Sequence, residues 1–364
     1  MAVKYGSSLF ICHFLATCKY LTKQSVPLYI FPFYTINNII IFMDTGKKIY
    51  SSIIAAVIGD SLGVPAEFSS QQELSLCAVK NMFGYGRYDH PQGTWSDDSA
   101  MILCTIESLC KGYDIEMLAH TFCKWLFEAH WTATGVVFDA GIATVVALDQ
   151  IRTEGKSARE SGSKLEQDNG NGSLMRILPA ALFFHKLPLN DFLERIHEVS
   201  SITHAHPRAL IGCGLYSLLI RELLKNNDKI AALHSAVALA LEYYNRYPEF
   251  KNELCQYIRI LSFELLTLEE QEIRSSGYIV DTLEAAFWCF LKNKSTSTTL
   301  LSAVNLGLDT DTTGTVAGGL AGVQYSLDDI PENWLDSLAR KEEIDQLVNQ
   351  FTSTIINGTT IPET

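Results

Sequence analysis

The chain has 364 residues, 47% hydrophobic and 19% charged, a composition that suits a folded core and excludes an intrinsically disordered chain. A formal net charge of −13 argues against a surface that tracks phosphates, so no stable nucleic-acid binding is expected. Nine scattered cysteines with no CxxC pair argue against a zinc ribbon or a disulfide framework and point to a reducing, cytoplasmic setting.

Residues 1–42 read differently from the rest of the chain. They are apolar and aromatic, but Pro27, Pro32, Asn37 and Asn38 interrupt the longest run. A membrane anchor wants about 20 uninterrupted apolar residues, so this is a poor one. SLFICHFLATC could serve as a signal-peptide core, but no clean small-x-small cleavage site comes after it. Coherent patterning begins at MDTGKKIYSSIIAAVIGD. Residues 1–46 are therefore read as an apolar N-terminal extension, with Met43 the expected start of the native product.

Beyond residue 46 the pattern is helical. Apolar residues recur at spacings of three and four over 98–111, 115–129, 139–151, 190–200, 207–225, 229–244, 252–266, 280–292 and 297–306. A further helix is expected over 312–324. Period-2 runs are scarce, and no fixed repeat or glycine-serine linker appears. The expectation is one compact all-α domain over 47–358, with no membrane role for it.

Six stretches carry possible chemistry. In IGDSLGVPAEF, Asp60 lies near a helix end and Pro65 stops continuation, leaving Glu67 on a loop as a candidate general acid or base. In GTWSDDSAMILC, Ser96, Asp97 and Asp98 stand at the mouth of a helix that is apolar all round. Two adjacent buried carboxylates need positive charge between them, and a helix N-terminus supplies only about half a charge. In FDAGIATVV, Asp139 sits at an expected helix start and reads by itself as a cap.

DNGNGSLMR is a glycine-rich opening to an apolar helix, where N–H groups suit a phosphate or diphosphate. An ordinary Asn-Gly turn explains it equally well. In ITHAHPRAL, His204 and His206 lack the partners of a zinc site, and an imidazole touching a ligand is favoured. In LDTDTTGTVAGGLAG, Asp309 and Asp311 are expected on an extended segment, aiming carboxylates at one point, with Thr312 adding a hydroxyl at the helix start. Gly314, Gly318 and Gly322 then share one helix face. Each costs about 1 kcal/mol against alanine, so another backbone is expected to come very close. The two acid motifs together make a hard oxygen site with room for two divalent ions, Mg²⁺ or Mn²⁺.

These motifs, in this order, resemble the ADP-ribosylglycohydrolase family over about residues 53–335. The resemblance implies a compact orthogonal helical bundle with a binuclear Mg²⁺ or Mn²⁺ centre. It implies release of ADP-ribose from a modified protein side chain or a small acceptor. By resemblance Ser96, Asp97, Asp98, Asp309, Asp311 and Thr312 are metal ligands. Glu67, Asp97 and Asp139 take catalytic roles. Gly170, Asn171, Gly172 and Ser173 surround the diphosphate, and His204 lies on the adenosine side. Ser96 stands where threonine is commoner, and keeps the hydroxyl. The expected partner is an ADP-ribosylated substrate, and the domain is expected to act as a monomer. The alternative is a relative that binds ADP-ribose or metal without turnover. DTDTT also spells a phosphatase DxDxT, but the helical pattern before it argues against that fold.

Overall fold

The computed structural model describes residues 31–225 and 228–358, with side chains from Asp44 onward. The reading of residues 1–30 as an extension lies outside the described residues. Contacts divide the chain into Met1–Asp44 and Thr45–Thr364. Among the described residues the regular structure is helical and no strand forms.

The long helices are α1 (Phe31–Gly63), α2 (Asp97–Leu109), α3 (Ile115–Glu128), α4 (Ile142–Glu154), α5 (Leu189–Ser201), α6 (Pro207–Lys225), α7 (Lys229–Tyr244), α8 (Ile279–Lys292), α9 (Thr296–Val304), α10 (Thr310–Tyr325) and α11 (Lys341–Asn357). α1 runs unbroken through Met43, so the change of sequence pattern there is not a helix boundary. Asp44–Ala66 is apolar and long enough to cross a membrane, yet 89% of its most apolar window is buried inside the protein. Its apolar length serves the core: Ile49, Ile53, Ile54, Val57, Ile58 and Leu62 are all buried. α1 stops where Pro65 enters a 3₁₀ turn over Val64–Ala66.

α10 packs against α8, α9, α6 and the start of α2. Its glycine face meets the backbone of α1. A Cβ on Gly314 would lie 2.5 Å from the Gly59 carbonyl oxygen, one on Gly318 2.4 Å from that of Ala55, and one on Gly322 2.3 Å from that of Ser51. The cost of three helical glycines is thus met by a helix contact that no side chain could enter.

Three expectations about elements change. The single helix expected over 252–266 is a chain of short turns, with Leu254–Tyr257 and Glu264–Leu266 in 3₁₀ form. Leu254, Tyr257 and Ile260 are buried at a spacing of three, the 3₁₀ period, and Phe263 then turns left-handed. α11 is a helix absent from the expected set, although Ile344, Leu347, Val348, Phe351 and Ile355 line one face. Asp311 lies in the first turn of α10 rather than on an extended segment.

Candidate active site

The last turn of α1 positions both acid motifs. Asp60 is fully buried and reaches the start of α2. Its carboxylate accepts from Ser96 N–H at 3.0 Å, Ser99 N–H at 2.9 Å and Ser99 Oγ at 2.5 Å. Ser96 Oγ accepts from Asp98 N–H at 3.2 Å. Asp97 is therefore not needed as a cap. Three residues on, Gly63 lies so close to α10 that a Cβ would stand 2.3 Å from Asp311 N. Thr310 Oγ1 donates to the Gly63 carbonyl at 2.7 Å.

The two motifs meet at Asp98. Its Oδ2 accepts from Thr312 Oγ1 at 3.2 Å and from Ser96 Oγ at 3.4 Å. Asp309 occupies the N-cap position of α10, but its side chain makes no capping bond. It instead accepts from Asn171 Nδ2 at 2.8 Å, so the glycine-rich loop joins the acid cluster directly.

Glu67 and Asp139 complete the cluster. One oxygen each from Glu67, Asp139 and Asp311 falls within 4.8 Å of the others. Asp139 does not cap α4, whose N-cap is Gly141. It sits before the helix with φ of 55°, a left-handed turn that aims it at the site. The Tyr88 phenol lies beside both Glu67 and Asp139.

The electrostatics follow from burial. Burial pushes the Asp97, Asp98 and Asp311 carboxyls well above the usual carboxylate range, and neighbouring acids add to it. Glu67 is pushed up to about 8 by burial and then by Asp139. Asp60 rises to about 6 by burial, opposed by its bonds from Ser99 and Ser96. Asp139 is raised by burial against the pull of Tyr88. Oε2 of Glu67, Oδ1 of Asp98, Oδ1 of Asp309 and Oδ2 of Asp311 are buried without a hydrogen-bond partner. Such oxygens are costly to bury unless something positive compensates them. An all-oxygen donor set of carboxylates with Ser96 and Thr312 hydroxyls suits Mg²⁺ or Mn²⁺.

The residues expected around the diphosphate divide. The Asn171 side chain faces the acids and also donates to Thr282 Oγ1 at 2.9 Å. The Ser173 hydroxyl turns inward, accepting from Ser200 Oγ at 2.9 Å beside Cys213. His204 is buried behind the loop, where a Cβ on Gly172 would lie 3.0 Å from its Cε1. Its Nδ1 pairs with Thr203 Oγ1 at 2.7 Å, and burial holds its pKa down to about 3, so it is neutral. A Cβ on Gly170 would lie 3.8 Å from His204 Nε2. The imidazole thus supports the loop from beneath.

Three residues matter here that the sequence alone left without a role. Asp60 anchors α2, Tyr88 stands beside Glu67 and Asp139, and Arg176 holds the loop from within. Arg176 is fully buried and donates to the Gly172 carbonyl at 2.6 Å and to Thr203 Oγ1 at 2.9 Å, with Phe122 beneath its guanidinium at 4.7 Å. Drawing the Gly172 carbonyl inward commits that side of the loop to the interior. Asp60 sits within a GDSLG segment and Arg176 within NGSLMR, so proximity to the motifs was their one sequence signal.

Comparison with known proteins agrees with this arrangement. The chain is 28% identical over 306 residues to an ADP-ribosylarginine hydrolase of Serratia proteamaculans, covering 84% of this chain and 78% of that protein. It is 29% identical over 307 residues to the ADP-ribosyl-[dinitrogen reductase] glycohydrolase of Rhodospirillum rubrum, covering 82% of this chain and 94% of that one. A solved chain from an ADP-ribosylglycohydrolase-related protein complex superposes with a TM-score of 0.70 at 29% identity, over 85% of this chain and 98% of the other. The ADP-ribosylglycohydrolase family model matches residues 43–359, and the chain belongs to that family.

Proposed function

We propose that this protein is a metal-dependent hydrolase of the glycosidic bond between ADP-ribose and a modified protein side chain. Family membership carries the reaction class. The observation that carries the metal is the convergence of buried acids from three separate segments with oxygens left unpartnered. Relatives named as hydrolases make a binding-only role the less favoured reading.

Ser96, Asp97, Asp98, Asp309, Asp311 and Thr312 would hold the ions, with Glu67 beside them. When bound, one or two Mg²⁺ or Mn²⁺ ions would supply positive charge to substrate oxygens and to a water. Glu67, whose carboxyl titrates near neutrality in the bare protein, would hold or pass a proton at its unpartnered Oε2. Asp139 and Tyr88 would fix its position. Asn171 would tie the diphosphate loop to Asp309 at a set distance from the acids. Arg176 and His204 would keep that loop in shape, Arg176 through Gly172 and His204 by packing beneath it. The domain is read as a monomer acting in a reducing compartment.

The acceptor in the name of the Serratia proteamaculans relative is arginine, so an ADP-ribosyl-arginine peptide is the first substrate to try. Release of free ADP-ribose with Mg²⁺ or Mn²⁺, and none with EDTA, is the expected result. Equal release in EDTA would defeat the metal reading.

A further inference from the structure

Phe68 and Leu308 both adopt left-handed backbone conformations, with φ of 61° and 58°. Side chains disfavour that region, and strain of this kind gathers at functional sites. Phe68 follows Glu67, and Leu308 precedes Asp309. Two backbone hydrogen bonds tie the segments together: Phe68 N–H to the Leu308 carbonyl and Leu308 N–H to the Ser69 carbonyl, each at 2.7 Å. The strained pairing leaves the Phe68 residue 55% and the Leu308 residue 46% exposed. Two apolar side chains, each one residue along the chain from an acid of the cluster, are thus held in solvent, where they add little to the core.

The Phe68 ring already carries an arginine. Arg87 Cζ lies 5.0 Å from its centroid. Arg87 is brought there by its loop, in which a Cβ on Gly86 would clash with the Pro65 carbonyl oxygen at 1.9 Å and Arg87 N–H donates to that carbonyl at 3.1 Å. The contact shows that a guanidinium fits against this ring within one residue of Glu67.

We propose that Phe68 and Leu308 form an acceptor lip that sets the preference for an arginine-linked substrate. The inference rests on the hydrolase reading above. The exposed face of the Phe68 ring, opposite the one Arg87 covers, would stack the substrate guanidinium, which is planar and weakly hydrated, while Leu308 covers its aliphatic stem. A serine-linked substrate has neither feature and gains nothing from the lip.

The test compares wild type, Phe68→Leu, Phe68→Trp and Leu308→Gly on arginine-linked and serine-linked ADP-ribosyl peptides. Affinity for free ADP-ribose is followed by calorimetry and folding by thermal melts. Phe68→Leu raises KM for the arginine peptide about fivefold, with a smaller change in kcat, and Phe68→Trp stays near wild type. Leu308→Gly raises KM roughly twofold to threefold without lowering Tm, because glycine accepts the left-handed backbone. ADP-ribose affinity stays constant in all three. An active wild type whose KM is indifferent to Phe68→Leu and Leu308→Gly overturns the lip alone. So does a parallel loss of ADP-ribose affinity, or activity confined to the serine-linked peptide. A wild type that releases nothing from either linkage overturns the hydrolase reading itself, and the lip with it.

Discussion

The starts of α2 and α10 bring aspartates to one point, and they are held there by opposite means. α2 is held by a side chain, since Asp60 reaches across to the Ser96 and Ser99 N–H groups. α10 is held by bare backbone, since Gly314 and Gly318 let it lie directly on α1. Both are gauged from the same turn, Gly59–Gly63. A hydrogen-bonded anchor has some tolerance, because bond lengths and rotamers adjust. A backbone contact has none, because neither partner can move without moving its whole helix.

The largest effect should come from removing one of the acids that the two starts contribute. Asp97→Asn is expected to cost about a hundredfold or more in ADP-ribose release while the far-ultraviolet spectrum stays that of a folded helical protein. If the two starts act as one unit, adding Asp311→Asn should cost little beyond the single variant, and full additivity of the losses would separate them.

The next effects distinguish the two anchors. Gly318→Ala places a methyl against the Ala55 carbonyl, away from the acids, and should cost about 1–3 kcal/mol in denaturant titrations. Gly63→Ala should cost at least about as much, and lower metal affinity too, because its methyl would meet the Asp311 backbone. Asp60→Asn keeps one acceptor oxygen and should cost only about 1 kcal/mol. An Asp60→Asn cost larger than that of Gly63→Ala would reverse the ranking of rigid and adjustable anchors.

A further effect is in pH. Burial raises Asp60 to about 6 and Glu67 to about 8 in the folded protein, above their ordinary values. Each therefore binds its proton more tightly when folded. The resulting stability is fully present below the ordinary carboxylate range and is lost as pH rises through about 6 and then about 8. The Tm of the EDTA-treated protein should fall from about pH 5 to pH 8, and saturating Mg²⁺ should flatten that fall. A metal-free Tm that rises over the same interval would contradict the uncompensated acid cluster.

The sequence makes one anchor more legible than the other. Gly314, Gly318 and Gly322 on one face announced a close helix contact, although nothing named α1 as the partner. The role of Asp60 was hidden, because a lone aspartate near a helix end has many uses and its targets lie about 36 residues away. The S-D-D and D-x-D-T motifs read as a pair because two bare carboxylates per helix start exceed what capping needs. Asp139 read as a cap because composition does not reveal a left-handed turn. The strain at Phe68 and Leu308 was invisible for the same reason. Residues 252–266 have the apolar content of a helix but bury at a spacing of three, which separates from a helical spacing only when the partners are known.

The most direct test of the central claim, that the two helix starts build one cation site on which turnover depends, is ADP-ribose release from an ADP-ribosyl-arginine peptide through a metal cycle. The protein is assayed with Mg²⁺ or Mn²⁺, stripped with EDTA, and reloaded, with Asp97→Asn in parallel. Release that disappears with EDTA, returns on reloading and stays absent in Asp97→Asn is the expected result. Release that survives EDTA, or an Asp97→Asn variant that turns over normally, would contradict the account.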